Sequence, residues 1–243
     1  MANKMLDDLD FLEIPTNISA LDPITYQYFN QLLNYRTIIM NTGVDDNLLE
    51  SVIIPLKNFE KDDNNEPITL ILQSVGGSVI DGMVLMNIID GYKKPLNIVV
   101  YGYAYSMGFA ILCAGSKNPN VVRKCYPFTT ALWHPGQVAL SGSTNDVNDI
   151  QEFNKKVDLT LKNYILENTF ISKELYEKNE RSQFYLTAQE LFHYGIIDEI
   201  IDEVKIPSIC KKCLLRRECE NCIDYAYENV TDNFSCEDFE PDV

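Results

Sequence analysis

From Ile68 to Leu112 the chain presents, twice in succession, an apolar strand, a turn and an apolar helix. Ile68 to Leu72 is the first strand, closed by Gln73-Ser74-Val75-Gly76-Gly77-Ser78, and Val79 to Tyr92 is its helix. Leu96 to Tyr101 is the second strand. It leads through a turn at Ala104-Tyr105 to Ser106-Met107-Gly108 and a further apolar helix. Strands joined through helices run parallel, and strand twist makes such crossovers right-handed. The expected class is α/β, a parallel sheet with helices packed on it.

This order singles out Ser106. A serine between a strand and a helix has an exposed hydroxyl beside unpaired helix amides, where developing negative charge is favoured. The same position suits an ordinary helix cap, so a nucleophilic role needs a base and an oxyanion donor elsewhere. Gly76-Gly77 can supply a donor, because a glycine pair closing a strand lets a backbone N–H face outward unobstructed. The same pair also reads as a tight turn before a helix. The N–H of Met107, just after the serine, is the second donor. His134, one of two histidines, closes a strand at Thr129 to Trp133 and precedes Pro135-Gly136. Ends of neighbouring parallel strands are where open α/β sheets assemble active sites. The other histidine, His193, falls in the helical run Leu191-Phe192-His193-Tyr194 and reads as a packing residue.

Around this centre, Asp22-Pro23 starts a helix over 24–35, followed by a strand at 37–40 and an amphipathic helix over 47–59. A strand lies at 121–122. A long polar helix spans 146–168, with Val147, Ile150, Phe153, Val157, Leu161 and Ile165 at helical spacing. A helix so polar projects from a domain or lies between subunits. Short helices at 174–178 and 188–194 and a strand at 196–201 complete the domain. Residues 1–22 read as an arm, 23–204 as one domain and 205–243 as a cysteine-rich appendage.

The net charge of −16 disfavours nucleic acid and anionic membranes as partners. The acidic N-terminal residues lack the pattern of a secretory signal. Seven cysteines, five of them after Phe192, fit a reducing compartment and a metal site better than a disulfide framework. We therefore expect a soluble cytoplasmic chain. Cys210-x2-Cys213-x5-Cys219-x2-Cys222 offers two thiolate pairs suited to tetrahedral zinc. The short central gap makes Cys236 an alternative fourth ligand to Cys222. An iron–sulfur cluster and free thiols are the competing readings. Cys113 and Cys125 read as buried thiols.

Gly76-Gly77-Ser78-Val79, Ala104-Tyr105-Ser106-Met107-Gly108, His134, Tyr185-Leu186-Thr187-Ala188 and Tyr194-Gly195-Ile196-Ile197-Asp198 together resemble the proteolytic subunits of the Clp protease. The resemblance covers about 24–202, including Arg36 to Met40 and Val44-Asp45-Asp46, and runs without a gap from Gly77 to Ser106. It implies a ClpP/crotonase-like fold of stacked βαβ units, with 146–168 as a protruding handle helix that interlocks two rings. It further implies a serine endopeptidase that degrades unfolded polypeptides in an oligomeric chamber of stacked, heptameric rings fed by an AAA+ unfoldase. No cofactor is implied for catalysis. Divergence suggests a specialised, phage-type member, which would act in a host cytoplasm.

By the same resemblance Ser106 is the nucleophile, His134 the base, and Gly77 and Met107 the oxyanion hole. Gly76, Ser78, Val79 and Pro135 line the substrate strand. The family's aspartate falls on Gln183, which can orient an imidazole but brings no charge to it. Either Gln183 serves as a weakened orienter, or an acid such as Glu180 replaces it, or the subunit is feeble and structural in a ring. A crotonase-like enzyme of acyl-thioesters is the remaining alternative.

Overall fold

A computed structural model describes residues 23–134, 136 and 142–201. The N-terminal arm, Pro135 and the tail with Cys210, Cys213, Cys219, Cys222 and Cys236 lie outside the described residues. Among the described residues no helix is long and apolar enough to cross a membrane.

The elements follow in the order α1 (Pro23–Tyr35), β1 (Thr37–Met40), α2 (Ile54–Lys61, entered through a wide turn at Leu49–Ile53), β2 (Ile68–Ser74) and α3 (Val79–Asp90). Then come β3 (Leu96–Tyr105), α4 (Met107–Leu112), β4 (Val121–Cys125), β5 (Thr130–Trp133) and α5 (Thr144–Asn168). α6 (Lys173–Asn179), β6 (Phe184–Thr187), α7 (Ala188–His193) and β7 (Glu199–Ile200) complete the domain. Strands β1-β2-β3-β4-β7 form a parallel path, as the strand-helix alternation requires.

β3 is longer than its apolar run suggests. Its first half pairs with β4, from Leu96↔Val121 to Val100↔Cys125, and its second half with β5, from Tyr103↔Thr130 to Tyr105↔Leu132. The expected turn at Ala104-Tyr105 is therefore strand, because β5 supplies a partner ladder for residues whose sequence reads as a bend. β6 pairs antiparallel with β5 and was not anticipated; its alternating exposure (Tyr185 and Thr187 out, Leu186 in) leaves little apolar signal. The strand expected at 196–201 shrinks to Glu199–Ile200, since Ile196 and Ile197 donate to the end of α7 instead.

The core gathers Leu70 and Leu72 of β2, Leu85 and Ile89 of α3, Ile98 and Val100 of β3, and every residue of α4. Asp198 ties the end of the domain to β4. It accepts from Arg123 Nε at 3.1 Å, from Nη2 at 2.8 Å and from the Arg123 backbone N–H at 2.8 Å.

α5 begins at Thr144, slightly earlier than expected, because Ser143 and Asp146 form a reciprocal capping box. Of its apolar stripe only Leu161 and Ile165 are buried, while Ile150 and Phe153 are exposed. The C-terminal half is anchored: the Tyr164 hydroxyl donates to Asp90 Oδ2 at 2.7 Å, and Asp90 Oδ1 accepts from the Gly115 N–H at 2.8 Å.

Candidate active site

The turn after β2 is built on positive backbone angles. Gly76 has φ 89° and Gly77 φ 150°, conformations that a side chain would strain. The Val44 N–H donates to Gly76 O at 2.9 Å, and the Ser78 N–H donates to Val44 O at 2.7 Å. This single parallel bridge occupies one edge of the segment and turns the N–H and C=O of Gly77 to the opposite edge. The pairing of Val44 with Gly77 depends on a contact far along the chain. The Ser78 hydroxyl accepts from the Asp81 N–H at 3.4 Å, so its side chain caps α3 while its backbone continues the turn.

Behind this turn sits Ser106. Its φ of 54° and ψ of −119° are far from the usual regions for a side-chain-bearing residue, a conformation that costs about 1–3 kcal/mol and persists only where the surroundings enforce it. The enforcement is visible. The Ser106 N–H donates to Leu132 O on β5 at 2.7 Å, and the buried helix α4 starts at the next residue. A Cβ on Gly76 would come within 2.6 Å of Ser106 Cβ and 2.8 Å of Met107 N, so the glycine turn and the serine turn are in direct contact. Met107 opens α4, and its N–H belongs to the first turn, which has no acceptor within the helix. The serine does not use its side chain to cap α4. Its strained backbone and uncommitted cap argue against the plain capping role.

Ser106 and His134 line one cavity of about 330 Å³ together with Val79, Met107, Trp133 and Gly136. The bond from Ser106 to Leu132 joins the serine turn to the strand that delivers His134, so the two residues occupy the ends of adjacent parallel strands, as expected. The far wall comes from α5 (Lys155, Asp158, Leu159, Leu161 and Lys162) and from Tyr176 and Glu180 at α6. The sequence reading had identified only Glu180 among these polar residues. The signal it passed over was the spacing of Lys155, Asp158, Leu159 and Lys162 on one helical face.

Gln183 is placed differently. Continuing the β5–β6 register beyond Trp133↔Phe184 sets it opposite His134, yet it is exposed and does not line the cavity. Its Oε1 accepts from the Tyr185 hydroxyl at 2.9 Å. Glu180 accepts from Lys162 Nζ at 3.2 Å, and Glu177 accepts from the same ammonium at 3.1 Å. The carboxylates hold Lys162 more firmly protonated, Glu177 contributing most. The Tyr176 hydroxyl accepts from Trp133 Nε1 at 3.0 Å, and burial raises the tyrosine's pKa.

Among the described residues no cluster of histidine, cysteine, aspartate and glutamate could hold a metal ion. Cys113 and Cys125 are buried, as expected, and burial pushes the Cys113 thiol up to about 12. His193 ends α7 edge-on to Tyr194, with ring centroids 4.9 Å apart.

The family model described as Clp protease matches residues 21–204. The chain is similar to the ATP-dependent Clp protease proteolytic subunit of Streptococcus sanguinis (strain SK36), at 31% identity over 180 residues. That alignment covers 73% of this chain and 90% of the relative.

Proposed function

The chain belongs to the Clp protease family, and from that premise we propose that it is a serine endopeptidase acting through an acyl-enzyme on Ser106. Ser106 Oγ attacks the scissile carbonyl as His134 takes its proton. The N–H groups of Gly77 and Met107 receive the developing oxyanion. His134 then returns the proton to the leaving amine, and water hydrolyses the ester with His134 again as base. The substrate backbone pairs along the Gly76–Val79 edge left open by Val44.

The observation that carries this reading is the strained Ser106 turn, packed on Gly76 and sharing a cavity with His134. A helix cap has no need of that strain. The experiment is cleavage of a fluorogenic peptide by the full chain, compared with Ser106→Ala and His134→Ala. Turnover is expected for the parent and loss of at least about 10³-fold in each variant. Equal turnover by Ser106→Ala would refute the mechanism. Acyl-thioester turnover by Ser106→Ala would instead support crotonase-like chemistry.

We propose further that copies of the chain assemble into rings with α5 at their contact and receive unfolded polypeptide from an ATP-driven unfoldase. Support comes from family membership and from the apolar Ile150, Phe153 and Leu159 left exposed on α5. A second reading, a feeble or structural ring subunit, is favoured by an uncharged Gln183 where the resemblance puts the triad aspartate. For the tail we propose one structural zinc on Cys210, Cys213, Cys219 and either Cys222 or Cys236, on the strength of the thiolate spacing.

A further inference from the structure

Resting on the serine-peptidase reading, we propose that Glu180 supplies the carboxylate that orients His134 and stabilises its imidazolium. A general base of this kind needs an anion on its second ring nitrogen, both to fix the tautomer and to hold the charge acquired during attack. Gln183 brings no charge, and its acceptor oxygen is engaged by Tyr185.

The geometry points to Glu180 by a short chain of contacts. Trp133 immediately precedes His134, and its indole N–H donates to the Tyr176 hydroxyl at 3.0 Å. That bond presses one face of α6 against the end of β5. Residues four apart share a helical face, and Glu180, the C-terminal cap residue of α6, lies four beyond Tyr176. Tyr176, Glu180, His134 and Ser106 accordingly line the same cavity, while Glu177 and Gln183 do not.

Glu180 is held at present by Lys162, which also lines the cavity and lies over the Tyr176 ring, 5.4 Å from its centroid. Lys162 has a second carboxylate in Glu177. When a substrate closes the site, Glu180 turns from Lys162 to His134, and Lys162 stays paired through Glu177. Apo catalytic hydrogen bonds commonly form only in the loaded complex. Glu180 is thus a positioning residue, acting through His134. The charged groups facing His134 across the cavity are Lys155, Asp158 and Lys162 from α5 and Glu180 from α6. Asp158 is the rival anion. It approaches the backbone beyond His134, its Oδ1 lying 3.9 Å from a Cβ built on Gly136.

The test is the pH dependence of kcat, which reports the loaded complex, for peptide cleavage by the full chain and by Glu180→Gln, Glu180→Asp, Glu177→Gln, Asp158→Asn and Gln183→Asp. A carboxylate on the imidazole favours its charged form, so the limb of kcat that rises with pH reports whether one is present in the loaded complex. Glu180→Gln is expected to lower kcat by at least about 10²-fold, toward the roughly 10⁴-fold loss in the aspartate-to-asparagine case. It should also move the rising limb to lower pH, a change that mere loss of a structural ion pair would not produce. Glu180→Asp should keep the position of the limb. Glu177→Gln, which leaves Lys162 on Glu180 alone, should lower kcat less than Glu180→Gln does. Gln183→Asp should bring no gain.

The assignment is overturned if Glu180→Gln keeps the parental rate and limb, if Asp158→Asn alone shifts the limb, or if Gln183→Asp raises turnover tenfold or more. In each case a dead Ser106→Ala would leave the peptidase reading standing. Active Ser106→Ala would remove both.

Discussion

Replacing Gly76 by alanine tests whether the two turns form one rigid unit. The new Cβ would lie 2.6 Å from Ser106 Cβ, 2.7 Å from Tyr105 O and 2.8 Å from Met107 N. Two of those atoms are backbone, and none belongs to the end of a flexible side chain that could swing aside. The φ of 89° adds its own cost, about 1–2 kcal/mol for a residue with a Cβ. Overpacking of a fixed site typically costs a further 1–3 kcal/mol or so. Gly76→Ala should therefore destabilise the protein by about 2–5 kcal/mol. Any relaxation must push Ser106 away from the Gly77 edge. Urea unfolding at fixed protomer concentration measures the first effect, and peptide turnover by the fraction that remains folded measures the second. Gly43→Ala is the control, since its nearest neighbour, Gly76 O, would be 3.5 Å away in ordinary contact. It should lie within about 0.5–1 kcal/mol of the parent. A Gly76→Ala protein with parental midpoint and turnover would refute the coupled-turn account.

Asp198→Asn removes the charge that meets the buried Arg123 through Nε and Nη2, and should cost about 2–3 kcal/mol in urea unfolding. Phe109, fully buried in α4, should cost about 3–5 kcal/mol as alanine. At alkaline pH, burial raises the pKa of Tyr28, Tyr92, Tyr164 and Tyr176 above 10.0 and that of Cys113 above 9.0. Groups raised in the folded state contribute fully below their unfolded values and lose that contribution as pH climbs. The urea midpoint should consequently fall from pH 9 upward, and a flat midpoint to pH 11 would contradict it. Elemental analysis of the reduced full chain should find about one zinc per chain, lost in Cys213→Ser; iron with visible absorption, or no metal, would count against the zinc site.

The readable and unreadable parts of the structure divide along physical lines. Gly76-Gly77 and Ser106 were legible because local backbone demands act on the residues themselves: positive φ selects glycine, and a strand-to-helix turn exposes whatever side chain it carries. The parallel sheet followed from strands and helices in alternation. β6 was not legible, because its half-exposed residues become a strand only when β5 offers a ladder. The second half of β3 was lost for the same reason. Lys162, Tyr176 and Glu180 meet only after α5 and α6 fold back across the end of β5, so their spacing along the chain carries no trace of the cavity they share. Gln183 shows the converse: the resemblance put it at the family's aspartate position, but only the structure sets it opposite His134 and reveals its engagement by Tyr185.

The central claim is that Ser106 is an activated nucleophile. Incubation of the full chain with a fluorophosphonate, followed by intact-mass and peptide-mapping spectrometry, tests it most directly. The account predicts one adduct per chain, located on Ser106, with labelling strongly slowed in His134→Ala. A folded chain that takes up no adduct at Ser106, or labels equally as Ser106→Ala, would contradict it.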